Sequence, residues 1–190
     1  NRINTFVADD KVHVLNLRFR QDYDFHAYGT AVPVFSLRSN KGWGVGEFLD
    51  IKNLSDWASK RGMRAIQLLP INDTTRTKTD SDSYPYSANS IYALNPLYLN
   101  CPKVGVLNDK IAQKQFLKKA AALNKKEFVD YGNVLNLKLD YLQKLFAQEY
   151  ENILADGEFV EFCLQNKNWL LSYAVFSCLR DRFSTSDFSN

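Results

Sequence analysis

The sequence predicts the opening part of a larger α/β domain that carries a helical insertion. Three observations predict it. Two short apolar runs, "TAVPVFSL" (30–37) and "MRAIQLLP" (63–70), flank an amphipathic helical pattern, the order of a βαβ unit with parallel strands. From Leu107 onward the apolar residues recur at helical spacing. Two buried parallel strands cannot finish a sheet, because both faces need cover and both edges need partners.

The elements follow in order. "KVHVLNLRFR" (11–20) alternates in two registers, with Val12 and Val14 in one phase and Leu15, Leu17 and Phe19 in the other. This reads as a half-exposed edge strand with a bulge or break near Val14. "QDYDFHAYG" is a connection. "TAVPVFSL" is nearly apolar throughout, as in a strand buried on both faces, although Pro33 cannot donate to a ladder. A helix is expected from Glu47 to Arg61, with Phe48, Ile51, Leu54 and Ala58 on one face. Glu47 and Asp50 at its start and Lys60 and Arg61 at its end suit the macrodipole, and Gly62 is a natural C′ residue.

After Pro70 comes a long loop rich in Ser, Thr and Asp, "INDTTRTKTDSDSYPYSANS". Loops that long are usually functional or disordered. "IYALNPLYLN" is a short strand or an irregular packed segment. Helices are expected over 108–123, 133–150, 158–166 and 168–183, with Asp156 and Asn166 as N-caps. No internal repeat or low-complexity tract is visible.

Composition narrows the function classes. The chain has 190 residues and a formal net charge of +3, 45% hydrophobic and 14% aromatic residues, which argues against disorder. The lysines are spread over helical faces, and so small a charge is no nucleic-acid signature. No apolar run reaches membrane-spanning length. The first residue is Asn1, with no methionine and no signal-peptide pattern, as expected of a cut or engineered terminus. Cys101, Cys163 and Cys178 are odd in number and widely spaced, as for reduced buried thiols in a cytoplasmic protein. With only His13 and His26, a histidine-rich metal site is not expected.

"NKGWGVGEF" (40–48) lies between a strand and a helix, where many proteins hold phosphate. The dinucleotide fingerprint is G-x-G-x-x-G. Here Gly42, Gly44 and Gly46 give G-x-G-x-G, and Glu47 stands where the third glycine would be. A carboxylate in the first helical turn repels the phosphate such a loop exists to hold. The alternatives are a tight βα turn needing positive φ, or a turn in which Trp43 presents an aromatic face to a site.

"SYPYSANS" (83–90) places Tyr84 and Tyr86 around a stiff Pro85, with Ser87 and Asn89 beside them. Tyrosine can stack on a sugar ring and hydrogen-bond a hydroxyl; equally, such rings can pack under their own loop. Glycosidase-type chemistry needs two carboxylates held close together. Asp73, Asp80 and Asp82 have no evident partner, and Asp73 beside Thr74 and Thr75 reads as a turn residue. Gln67, polar within an otherwise apolar strand, reads as a satisfied core amide or as a side chain pointing into a site at the strand's end, the core reading being favoured. No Ser-His-Asp or Cys-His arrangement can be assembled.

A resemblance now adds to this. "AVPVFSLRSNKGWGVGEFLDIKNLSDWASKRGMRAIQLLPINDT", "DSYPYSANSIYALNPLYLN", "VDYGNVLNLKLDYLQKLF" and "NWLLSYAVFSCLRD" resemble, in that order, segments of the 4-α-glucanotransferase (amylomaltase, disproportionating enzyme) family. The similarity covers roughly residues 28 to 183. "NTFVADDKVHVLNLRFR" resembles forms with upstream starch-binding domains.

The resemblance implies an incomplete (β/α)8 TIM-barrel with a helical insertion. Three regions then follow: 1–27, a lead-in strand and connection from an upstream region; 28–100, the first βαβ part with substrate-side loops; and 101–190, the helical insertion subdomain. It implies cleavage of an α-1,4-glucan with retention and transfer to another glucan's 4-hydroxyl, with no metal or organic cofactor. The expected partners are maltooligosaccharides, not nucleic acid or membrane, with artefactual self-association through open sheet edges. Tyr86 matches the family's donor-side tyrosine, and Tyr84 departs from the small serine often found before the proline. Trp43 falls on the first βα loop, so the implied substrate-binding set is Tyr86, Ser87, Asn89 and Trp43. The three catalytic carboxylates come from later strands, beyond Asn190, and this chain is expected to be inactive alone. The other readings are a non-catalytic glucan-binding module and a hydrolytic relative in the amylase group.

Overall fold

The computed structural model describes residues 4–8, 11–15 and 27–187. Strands β1 (Asn4–Ala8) and β2 (Lys11–Leu15) form an antiparallel pair. The sequence reading missed β1. Register runs unbroken from Asn4↔Leu15 to Ala8↔Lys11, so there is no bulge at Val14. The expected continuation of that strand through 16–20 lies outside the described residues, as does the connection over 21–26.

Strands β3 (Gly29–Val32) and β4 (Ala65–Leu68) pair in parallel, Gly29 with Ala65 through Val32 with Leu68. Helix α1 (Phe48–Lys60) joins them, as the βαβ reading requires. Strand β3 is shorter than expected. Pro33 has no N–H to give the ladder, and the chain turns into a 3-10 turn, Val34–Ser36. Neither strand is buried on both faces. Thr30, Val32, Ile66 and Leu68 are half-buried, while Ala31 and Gln67, paired in the register, lie exposed. Gln67 is therefore a residue of the open face, because that face has no cover among the described residues.

Helix α1 starts where Asp50 accepts the N–H of Glu47 at 2.9 Å, half of a capping box. It ends in a Schellman arrangement. Gly62, at φ +76°, donates to Ser59 O, and Met63 N donates to Ala58 O, each at 3.0 Å.

The rest is helical: α2 (Cys101–Val104), α3 (Lys110–Asn124), α4 (Tyr131–Ala155) and α5 (Gly157–Phe183). The segments expected at 158–166 and 168–183 are one helix. Asn166 is no cap: its side chain donates to Phe162 O, four residues back, and accepts from Trp169 Nε1. Both bonds are made within a continuing helix, and no proline interrupts it. Asp156 does cap α5, accepting from Phe159 N at 2.7 Å. Cys101 is buried, Cys163 half-buried and Cys178 exposed, so the thiols are not uniformly interior.

Helix α4 organises the core. Leu137, Tyr141 and Leu145 pack with Trp43, Cys101, Leu107 and Phe116 in one cluster. Tyr131, Val134 and Leu135 pack with Val34, Val45, Leu97 and Tyr98 in a second. Helix α5 is different: of its side chains, Arg180 alone is buried among the described residues. The chain is thus an α-rich structure carrying one parallel strand pair, and two loops leave the C-terminal ends of those strands.

Candidate glucan-facing loop

The first loop follows β3 and is buried throughout Gly42–Glu47. Trp43 is 2% exposed and meets Tyr141 edge-on, with ring centroids 5.1 Å apart. Its ring presents no face to solvent. Trp43 and Val45 feed separate core clusters, so the turn is wedged between them.

The glycines have specific reasons. Gly44 sits at φ +93°, a conformation disfavoured with a Cβ. At Gly46 a Cβ would lie 1.9 Å from Val34 O. The turn's three glycine amides are also spent. Gly42 N donates to Ser39 O, Gly46 N to Phe35 O and Gly44 N to Asn124 Oδ1. A phosphate cradle needs free N–H groups pointing at its ligand, and these three point elsewhere.

Glu47 follows, 1% exposed. Its Oε1 accepts from Lys138 Nζ at 2.7 Å and its Oε2 from Asn100 Nδ2 at 2.6 Å. Lys138, 0% exposed, also donates to Leu97 O and Leu99 O, both at 2.7 Å. Burial pulls the Lys138 pKa down and the Glu47 carboxylate opposes it. Three acceptors around one nitrogen require all three ammonium protons. Sequence reading placed Glu47 at the helix dipole and could not see this partner. The same burial pushes the neighbouring Cys101 thiol up to about 12.

The second loop follows β4, and its frame is polar. Asp82 Oδ2 accepts from the N–H groups of Arg76, Thr77 and Lys78 at 2.7 to 2.9 Å. Thr74 Oγ1 donates to Asp82 O at 2.7 Å. Asp73 Oδ1 accepts from Thr75 N at 3.0 Å and Thr75 Oγ1 at 2.6 Å, the turn role its neighbours suggested. Asp73 Oδ2 accepts from Tyr173 OH at 2.7 Å. Burial, then this bond, raises the Tyr173 pKa. These aspartates hold the loop; neither is directed toward the other as an acid/base pair.

On this frame stand the tyrosines. Tyr84 is 61% and Tyr86 60% exposed, with ring centroids 5.5 Å apart. Asn89 is fixed: its N–H donates to Asp73 O, its Nδ2 to Thr75 O, and its Oδ1 accepts from Arg76 Nε. Arg76 also donates to Ser87 O. The structure therefore brings Tyr86, Ser87 and Asn89 to one loop and puts Trp43 in the core instead. Tyr92 is exposed too and stacks on Trp169, at 5.3 Å between centroids. Arg76, Tyr173 and Arg180 were missed because their partners are set by tertiary contacts.

Among the described residues no group of three or more His, Cys, Asp or Glu side chains could hold a metal ion. None of the described helices is long and apolar enough to cross a membrane.

Comparison with known proteins decides the family. The family described as 4-alpha-glucanotransferase matches residues 32–190. The chain belongs to the 4-alpha-glucanotransferase family. It is 47% identical over 166 residues to 4-alpha-glucanotransferase DPE2 of Oryza sativa subsp. japonica, covering 85% of this chain and 17% of that protein. It is 35% identical over 155 residues to the 4-alpha-glucanotransferase of Chlamydia trachomatis serovar D, 81% of this chain and 28% of the relative. With that of Chlamydia caviae it shares 34% over 154 residues, 80% of this chain and 28% of the relative. The chain spans well under a third of the length of these relatives. Both loops of this 4-alpha-glucanotransferase family member lie inside the matched residues, and the β1–β2 hairpin lies outside them.

Proposed function

We propose that this chain is the part of a 4-α-glucanotransferase that carries the first strands of its (β/α)8 barrel, its helical insertion and one wall of its glucan site. The parent enzyme cleaves an α-1,4-glucan and transfers the released piece to the 4-hydroxyl of another glucan. Configuration is retained through two successive displacements, which need a nucleophilic carboxylate and a second carboxyl acting as acid, then base. Those groups come from other strands of the barrel, so this chain alone binds glucan without turning it over.

The observation that carries this reading is the exposed pair Tyr84 and Tyr86 on a rigid polar loop, within a family match over 32–190. A tyrosine face suits the apolar face of a pyranose, and its hydroxyl suits the ring's own hydroxyls. Tyr86 stacks on a donor-side sugar, and Ser87 adds a hydroxyl. Asn89 holds the loop that presents them. Trp43 supports the neighbouring loop from the core.

Incubation with maltotriose, followed by product separation, tests the placement of the acids. No turnover is expected. Glucose together with longer maltooligosaccharides would show that the acids lie within this chain. Calorimetry with maltoheptaose tests the wall itself: Tyr86→Ala weakens binding, and an unchanged affinity overturns the role of that ring.

A further inference from the structure

Helix α5 is long and little of it is buried, yet its C-terminal half is tied to the glucan-facing loop. Tyr173 OH donates to Asp73 Oδ2 at 2.7 Å. Arg180, 7% exposed, donates through NH1 to Thr75 O at 2.8 Å. Lys78 Nζ pairs with Asp181 Oδ2 at 2.9 Å. Three residues of one helix thus hold three points of one loop.

Two of those points are also the points that hold Asn89. Asp73 O accepts from Asn89 N at 2.7 Å. Thr75 O accepts from Asn89 Nδ2 at 2.7 Å and from Arg180 at the same time. The Asp73 and Thr75 backbones therefore stand between α5 and the residues that follow Tyr86. Arg76 completes the frame by bonding Asn89 Oδ1 and Ser87 O. The rings of Tyr84 and Tyr86 are largely exposed, so their placement depends on this backbone and not on burial of the rings.

We propose that Tyr173 and Arg180 are positioning residues for the glucan wall: through Asp73 and Thr75 they set the backbone of 86–89 and so the angle at which Tyr86 meets a sugar ring. The inference rests on the glucan-binding reading and deepens it. It adds a helix, distant in sequence, to the specificity of that site. A contiguous hydrogen-bond network is a physical route for such coupling.

The test is a double-mutant cycle with a second, ligand-free readout. Tyr173→Phe keeps the ring and removes the hydroxyl that bonds Asp73. Arg180→Lys keeps the charge and removes the fork that reaches Thr75. Each variant is expected to weaken maltoheptaose binding roughly three- to tenfold, with the helical signal in circular dichroism unchanged. In a Tyr86→Ala background the same change is expected to cost less than about twofold, because coupled residues are non-additive. Equal penalties in both backgrounds overturn the proposal, since a general loss of stability would act alike in each. Hydrogen exchange at Asn89 N–H reads the brace without ligand: Tyr173→Phe lowers its protection, and unchanged protection overturns the proposal. If the parent chain binds no maltoheptaose, the glucan reading fails and the specificity role of α5 fails with it.

Discussion

The loops after β3 and β4 leave the same end of one strand pair and do opposite things. Residues 42–47 are buried, their glycine amides are spent on the protein, and an ion pair locks their end. The loop over 73–92 is held by aspartates and threonines and leaves Tyr84, Tyr86 and Tyr92 exposed. Glycine content, which marks so many ligand loops, here marks the loop that packs. The difference teaches that a turn's N–H groups must be traced to their acceptors before a ligand is assigned to them.

The contrast can be broken first at Lys138. Lys138→Met leaves the Glu47 carboxylate buried without its cation, which is expected to cost about 3–5 kcal/mol. Urea unfolding measures it, and a loss under about 1 kcal/mol would mean that water reaches the pair. Adding Glu47→Leu recovers part of that loss, because two matched apolar groups avoid the uncompensated charge.

Next come the small residues. Gly46→Ala sets a methyl 1.9 Å from Val34 O and is expected to cost roughly 1–3 kcal/mol. Ser87→Ala, on the other loop, is expected to change stability by less than about 0.5 kcal/mol. Equal effects in thermal unfolding would erase the distinction between a packed turn and a presenting loop.

Tyr86→Ala sharpens the comparison from the ligand side. Stability stays within about 0.5 kcal/mol, while maltoheptaose affinity falls by about 0.5–1.5 kcal/mol, the scale of one aromatic contact. A variant that unfolds instead would make Tyr86 a packing residue like Trp43.

The smallest effect is expected at Asp130, the N-cap of α4, whose carboxyl is held below the usual range by the Lys126 ammonium and by Asn133. A carboxylate with a depressed folded pKa contributes stability above its unfolded value, about 4. That contribution is lost as pH falls through the folded value. Stability against pH should therefore lose a small acid-side step in Asp130→Asn, read from urea midpoints between pH 6 and pH 3. A step of undiminished size would assign it to another carboxylate.

Much of the local structure was legible in the residues. The βαβ order, the ends of α1 at Glu47 and Gly62, and the Asp156 cap follow from periodicity and capping chemistry within a few residues. The sequence predicts a break at Asn166 that α5 does not have, because a cap and a mid-helix asparagine look alike until its acceptor at Phe162 is seen. The apolar run predicts a longer β3 than forms, because it continues past Pro33 into a turn. Asp73 was legible as a turn residue from Thr74 and Thr75, while its second oxygen was not, since Tyr173 lies 100 residues away.

The sequence by itself determined the short-range structure and the family, because both are written in neighbouring residues and ordered blocks. Only the tertiary structure decided what the exceptional side chains do. It sent Trp43 inward to Tyr141 and left Tyr86 outside. It gave Glu47 a lysine 91 positions on. The physical reason is that a hydrophobic or charged residue can satisfy itself with any suitable partner the closed chain brings near. Spacing along the sequence records the helix or strand that carries the residue, and the packing of those elements selects the partner.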